Sequence, residues 1–243
     1  MNFEYSLEEL GAGVNVCVTP EHKFGTDAFL LSSFAAHRRK DIACDLGTGC
    51  GIVPLLWFRG EPPQEVYAVD IQEKAIEQLR LSVELNHLEG HLTPVLADLK
   101  ALGGVLPKAK FSLVTCNPPY KICGTGILSE LTAEQIARHE VLCNINDVCA
   151  AAASLLRFSG RLCLCQRPER LLDVLAAMRV NGIEPKLLRF VQQREGLAPW
   201  LFLVRGQKGA KPCLKVEKPL IIEGGGRDGF SEELLQIYGG GKT

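Results

Sequence analysis

No stretch of about 18 or more uncharged apolar residues occurs in the 243-residue chain, which argues against a transmembrane helix. Residues 1–9 are acidic and lack an apolar core, so they do not read as a secretory signal and the expected address is cytoplasmic. Ten cysteines are present, yet no two form a C-x-x-C pair and no histidine cluster accompanies them. That spacing argues against a zinc or iron–sulfur site, and no metal is expected. Most thiols lie in apolar runs such as Leu162-Cys163-Leu164-Cys165, where cysteine behaves as a small hydrophobe. Internal repeats and long linkers are also missing. A 47% hydrophobic and 23% charged composition excludes wholesale disorder and is enough to bury a sizeable core.

The net charge of −1 conceals an asymmetry. Residues 1–156 carry 12 Lys/Arg against 19 Asp/Glu, residues 157–218 carry 13 against 5, and the remainder 2 against 4. A basic segment is either the footprint of a polyanion or the solvated face of a sheet with its helices.

From Ile42 onward, short apolar runs alternate with helical patterns. Strands are expected at 42–45, 65–70, 92–96, 111–116, 160–165, 186–192 and 200–206. Helices are expected from about Ile52, over 73–86, over 134–158 with a break near Asn144-Ile145-Asn146, and over 168–181. Alternation of this kind implies right-handed βαβ crossovers, hence an α/β fold with a mostly parallel, doubly wound, seven-stranded sheet. No helix separates the last two strands, so an antiparallel hairpin should finish one edge. Residues 1–40 are read as an N-terminal extension or cap, 41–218 as the main domain and 219–243 as a C-terminal appendage.

The first strand runs into Asp45-Leu46-Gly47-Thr48-Gly49-Cys50-Gly51. Alternate glycines let a backbone turn sharply and approach a ligand with no Cβ in the way, and the next helix can set its N-terminus against that ligand. Asp45 disfavours a phosphate and favours an amine-bearing ligand. Asp70 ends the second strand, where an acid can accept both hydroxyls of a ribose. Asp98 follows the third strand and is either an acceptor for an adenine amine or a helix cap. The pattern looks like the S-adenosylmethionine site of class I methyltransferases, with Thr48 in the loop and Ile71 and Leu99 beside the two acids as further candidate contacts.

Asn117-Pro118-Pro119-Tyr120 stands at the carboxyl end of the fourth strand, the edge where open α/β sheets bind ligands. Two prolines remove two backbone donors and leave carbonyls free to accept. The Asn117 side-chain oxygen and the Pro118 carbonyl can accept from the N–H groups of a conjugated amine or carboxamide, favouring the pyramidal nitrogen of the transition state. Tyr120 offers a face on which a planar group can stack. These four are the candidate catalytic residues, and a glutamine carboxamide or an aryl amine would suit them.

Several segments carry a more specific likeness. They are His22-Lys23-Phe24-Gly25-Thr26-Asp27 with the following helix, the glycine loop, Asn117 to Tyr120, Ala137-Arg138-His139-Glu140, and Pro168-Glu169-Arg170-Leu171. In these the chain resembles the tRNA1(Val) adenine-37 N6-methyltransferases, a group of small-domain class I methyltransferases with a Rossmann-like fold. His22 stands where that family often has an aromatic, and residues 121–126 lack another. The resemblance implies S-adenosyl-L-methionine as cofactor and methyl transfer to N6 of the adenine beside the anticodon of a tRNA. Phe24 and Asp27 are read as folding over the cofactor pocket or as a packed aromatic and a helix N-terminal acid. Lys23, Lys121 and Arg138 are candidate RNA contacts. Alternatives left open are an rRNA or DNA adenine methyltransferase, a release-factor glutamine N5-methyltransferase, and a cofactor-binding scaffold without catalysis.

Overall fold

The computed structural model describes residues 5–19, 24–118 and 143–239. Strands β1 (Ser6–Gly11) and β2 (Val14–Val18) form an antiparallel hairpin separate from the main sheet. Then come α1 (Thr26–Ala35), β3 (Ile42–Leu46), α2 (Ile52–Trp57), β4 (Glu65–Asp70), α3 (Glu73–Leu85), β5 (Leu92–Leu96) and β6 (Phe111–Cys116). After the undescribed stretch follow α4 (Ile145–Leu155), β7 (Leu156–Gln166), α5 (Leu171–Val180), β8 (Ile183–Gln192) and β9 (Leu201–Lys208). Short strands β10 (Lys215–Val216) and β11 (Leu220–Ile221) and helix α6 (Glu232–Gly239) complete the described chain. No helix among the described residues is long and apolar enough to cross a membrane.

The main sheet runs β10-β8-β9-β7-β6-β3-β4-β5, with β11 also paired to β8. Strands β3 to β7 pair in parallel, and β9 runs antiparallel to both β7 and β8. This is the expected doubly wound sheet with its antiparallel hairpin. The hairpin does not finish the edge, however: β10 and β11 add in parallel beyond β8, so the sheet has nine strands instead of seven. Two-residue strands are too short to show any periodicity.

Both faces of the sheet are covered, which is why its strands read as continuous apolar runs. The period of two survives in which core each residue enters. Leu113, Cys163, Cys165, Leu201 and Leu203 face one core with α1 and α2. Val114, Leu162, Leu164, Phe202 and Val204 face the other with α4 and α5.

The helix expected over 134–158 needs correction at its carboxyl end. Near Asn144, where a break was expected, α4 begins. The Asn144 side chain accepts from the N–H groups of Asn146 and Asp147 at 2.9 and 3.1 Å, and Asp147 Oδ2 accepts from the Asn144 N–H at 3.0 Å. This reciprocal capping box satisfies donors that a helix start leaves orphaned. Residues 134–142 lie outside the described residues. At the other end Phe158 belongs to β7 and is 73% exposed. A register irregularity between the Phe111–Leu156 and Leu113–Arg161 pairs takes it out of the ladder.

The hairpin is tied to α3 by buried polar side chains. Gln78 Nε2 donates to the Cys17 carbonyl at 2.5 Å, Ser82 Oγ accepts from the Cys17 N–H at 2.9 Å, and Asn86 exchanges bonds with both backbone groups of Asn15. These bonds satisfy a strand edge that would otherwise be buried unpaired. Replacing Gln78, which is fully buried, by Leu is expected to cost about 1–3 kcal/mol by leaving the Cys17 carbonyl unsatisfied. Urea unfolding reads this directly, and an unchanged midpoint would show that the hairpin is held some other way.

Candidate active site

Going out from β3, the strand order runs to β4 and β5 on one side and to β6 and β7 on the other. Helices leave the two halves on opposite faces, and a crevice opens at the carboxyl ends of β3 and β6. The register pairs Leu46 with Cys116. The glycine loop and Asn117, each the next step along its strand, therefore leave the sheet side by side.

Asp45 is 2% exposed and its Oδ1 accepts from Thr115 Oγ1 at 2.5 Å. Burial pushes its carboxyl up to about 7, against the opposing pull of the Thr115 and Thr48 hydroxyls and with a smaller push from Asp70. Thr48 Oγ1 is itself buried, near this carboxylate, without a well-formed hydrogen bond among the described residues. A carboxylate taken out of water with one strong donor and room for another suits a cationic group.

The loop is held from β4. Asp70 Oδ2 accepts from the Gly49 N–H at 2.8 Å and Oδ1 from the Gln72 N–H at 2.9 Å, while the Thr48 N–H donates to the Val69 carbonyl. Each Asp70 oxygen keeps a lone pair, so the acid that shapes the loop can also take a diol. Among the described residues, nothing lies within 4 Å of where a Cβ would stand on Gly47 or Gly49, so a ligand can approach that backbone closely. Gly51 is glycine for a different reason. Its φ is +81°, and a Cβ would stand 2.2 Å from Leu79 Cδ1 of α3.

Asp98 caps the short 3-10 turn Leu99–Ala101 by accepting from the Lys100 N–H at 2.8 Å, so its capping role is real. The Ala97 N–H donates to the Asp70 carbonyl at 2.9 Å, which keeps the ends of β4 and β5 together. Ile71 is half exposed at this edge and Leu99 is half-buried against the second core. Phe24 packs on the first core with its ring 5.9 Å from that of Phe29. The packed-aromatic alternative therefore holds for it.

Asp27 is brought to the other motif. Asn117 Nδ2 donates to Asp27 Oδ2 at 2.9 Å across 90 residues of sequence, and Cys165 Sγ donates to Asn117 Oδ1 at 3.1 Å. The acceptor-only carboxylate and the thiol donor together fix which end of the carboxamide points which way. Thr115 and Cys165 were not anticipated as site residues. Thr115 shares a strand face with Asn117 by the period of two, a signal open to reading; Cys165 needs the β6–β7 register. Pro118 is buried. Pro119, Tyr120, Lys121 and Arg138 lie outside the described residues, as does Lys23.

Most cations of the basic segment are engaged within the chain. Arg161, Arg170, Arg179, Arg189, Arg194 and Lys215 are in ion pairs with acids of the chain. Arg167, Lys186 and Lys208 donate to backbone carbonyls. Among the described residues, no group of three or more His, Cys, Asp or Glu is placed to hold a metal ion.

Comparison with known proteins agrees with this geometry. Residues 21–137 match the methyltransferase small domain family model. A curated relative from Tolumonas auensis, a tRNA1(Val) (adenine(37)-N6)-methyltransferase, is 26% identical over 82% of this chain and 81% of its own length. One of the same name from Aeromonas hydrophila is 25% identical over 88% of each chain. Among solved structures, a predicted O-methyltransferase from Agrobacterium tumefaciens superposes with a TM-score of 0.72 at 22% identity, covering 88% of this chain and 96% of that one. The M. jannaschii TYW2 complex with AdoMet gives 0.57 at 14% identity, covering 84% and 85%. The fold is that of the Rossmann-like methyltransferases, and the chain is an S-adenosyl-L-methionine-dependent methyltransferase.

The raised Asp45 carboxyl makes a prediction about the ligand-free protein. The folded state keeps this proton up to about pH 7, whereas an unfolded aspartate releases it near 4. Stability is therefore lost as pH rises from about 4 to 7, and the full cost is present above that. Asp45→Asn should gain stability relative to wild type across this window, by up to about 4 kcal/mol at pH 8. Parallel pH–stability curves for the two proteins would refute the assignment. A second prediction concerns Gly25, whose added Cβ would stand 2.7 Å from Asp27 Oδ1. Gly25→Ala should displace the Asp27 carboxylate from Asn117 while changing stability by less than about 1 kcal/mol, and a crystal structure of the variant reads the shift.

Proposed function

We propose that this methyltransferase acts on N6 of an adenine in tRNA, the adenine at position 37 of a valine tRNA being the target. The names of the curated relatives support the substrate. The observation that carries the chemistry is the Asn117 carboxamide, oriented by Asp27 and Cys165 at the sheet's switch point, beside a glycine loop with a buried acid. Residues 41–218 are taken as the catalytic domain, with 1–40 and 219–243 as additions.

The residues present fit the cofactor. Asp45 would hold its ammonium, the backbone of Gly47, Thr48, Gly49 and Gly51 its amino-acid part, and Asp70 its ribose hydroxyls. Ile71, Asp98 and Leu99 are left for the adenine end. When bound, S-adenosyl-L-methionine supplies a methyl group on a sulfonium that can pass to a nitrogen in one in-line displacement. An adenine amine is a poor nucleophile because its lone pair is delocalised into the ring. Asn117 Oδ1 and the Pro118 carbonyl accept its two N–H groups and favour the pyramidal, more nucleophilic nitrogen. Tyr120 gives the extracted base a face to stack on. The protein's contribution is orientation and fixed acceptors, and the proton left on the methylated nitrogen is acidic enough to pass to water.

Arg167 follows β7 on this same edge, its guanidinium 5.5 Å over the Trp200 ring and donating to the Trp200 carbonyl at 2.9 Å. A planar cation braced on an aromatic ring suits the bases and phosphates of an unpaired loop.

The deciding experiment offers labelled cofactor to tRNA, rRNA and a release factor, each lacking its own methylation. N6-methyladenosine beside the anticodon supports the reading, whereas label in rRNA or on a glutamine keeps the chemistry and discards the substrate. Asn117→Ala is expected to lower turnover by about 10²-fold or more with cofactor affinity within a factor of about three. Lost affinity would make Asn117 a structural residue. Cofactor affinity should also rise from pH 5 toward pH 7 as Asp45 ionises, and Asp45→Asn should flatten that rise.

A further inference from the structure

Residues 219–243 have no role in the chemistry above, yet their helix reaches the catalytic carboxamide through two contacts. Tyr238 Oη and Thr26 Oγ1 share a hydrogen bond of 2.7 Å, and the Tyr238 ring meets Phe29 edge-on at 4.9 Å. Thr26 is the first residue of α1, and Asp27, which holds Asn117, is the second. Gly25, just ahead of the helix, has no side chain with which to cap it. The first turn of α1 is consequently held from outside, and Tyr238 does the holding.

The helix that carries Tyr238 is itself fixed at both ends. Glu233 takes a two-pronged bond from Arg189 of β8 at 2.6 and 2.7 Å. Ser231 Oγ accepts from the Leu234 N–H at 3.1 Å and donates to the Ile221 carbonyl at 2.6 Å. At the far end the Ile237 carbonyl accepts from Arg59 Nη2 at 3.0 Å, and Leu234 is fully buried in the first core. The support is rigid where it meets Thr26.

We infer that Tyr238 is a positioning residue for methyl transfer: its hydroxyl, through Thr26, sets the first turn of α1 so that Asp27 holds the Asn117 carboxamide in the accepting orientation. This rests on the reading of Asn117 as the acceptor for the target amine. An asparagine carboxamide has nearly the same shape after a half-turn, so only its hydrogen-bond partners decide whether oxygen or nitrogen faces the substrate. A small shift of Asp27 therefore changes an acceptor into a donor at the reacting amine, at little cost to the fold.

Tyr238→Phe tests this, because it keeps the ring packed on Phe29 and Phe230 and removes only the hydroxyl. The expected result is a kcat lowered about three- to ten-fold, the size of one lost hydrogen bond, with the KM and affinity for the cofactor unchanged. In an Asp27→Asn background the same substitution should cost nothing further, since the group it positions is already altered. A second readout needs no activity: the side-chain amide cross-peak of Asn117 in a nitrogen-15 spectrum, identified by its loss in Asn117→Asp, should move in Tyr238→Phe. A cross-peak that stays in place, or an equal loss of kcat in both backgrounds, overturns the proposal. Wild-type protein that methylates no RNA would count against the adenine reading instead, and the cross-peak alone then decides whether Tyr238 positions Asn117.

Discussion

The parallel pairing of β3 with β6 is the constraint on which the site depends. These strands are far apart in sequence, and their register places Asp45 beside Thr115 and Leu46 beside Cys116. One ladder therefore supplies both the donor that tolerates a buried carboxylate and the adjacency of the two functional loops. Slipping the pairing by one residue would turn Thr115 to the other face and leave Asp45 buried without its partner. Since that costs several kcal/mol, the register that makes the crevice is also the one the chain can fold into.

Asp45 shows why such a site is not optimised for stability. Burial that lifts a carboxyl to about 7 opposes folding at neutral pH, and the buried Thr48 hydroxyl beside it has no well-formed hydrogen bond among the described residues. Both lie in the loop whose backbone a ligand can approach closely. Polar groups that are costly in the free protein and useful only toward a ligand are the local inconsistencies expected at functional positions. Asp70 avoids the conflict because its two bonds to backbone N–H groups shape the loop whether or not a ligand is present.

What the sequence revealed followed the range of the interaction. The glycine loop and the acids after β4 and β5 are local patterns, and each stands where its spacing implied. Asn117 was legible as a strand-end residue beside two prolines. Its partners were not: Asp27 is 90 residues away, and Cys165, read as a small hydrophobe, is indeed fully buried while its S–H also serves the carboxamide. Asn144 was legible as a discontinuity, and its capping box shows what makes it one. The basic segment left two readings open because charge was counted without partners, and most of its cations are engaged with acids or carbonyls of their own chain.

That internal pairing bears on how a nucleic acid would be held. Arginines already paired with acids of their own chain gain little from counterion release, so affinity would depend less on salt than the count of basic residues suggests. Discrimination would then rest on shape and on groups that meet the base itself: the oriented Asn117 carboxamide and the Arg167–Trp200 pair on the same edge. The additions at the two ends of the chain fit this division of labour. The hairpin, α1 and α6 all join the core on one face of the sheet, and the contacts of α6 run to Thr26, Phe29 and Arg59. They brace α1, the element that carries Asp27.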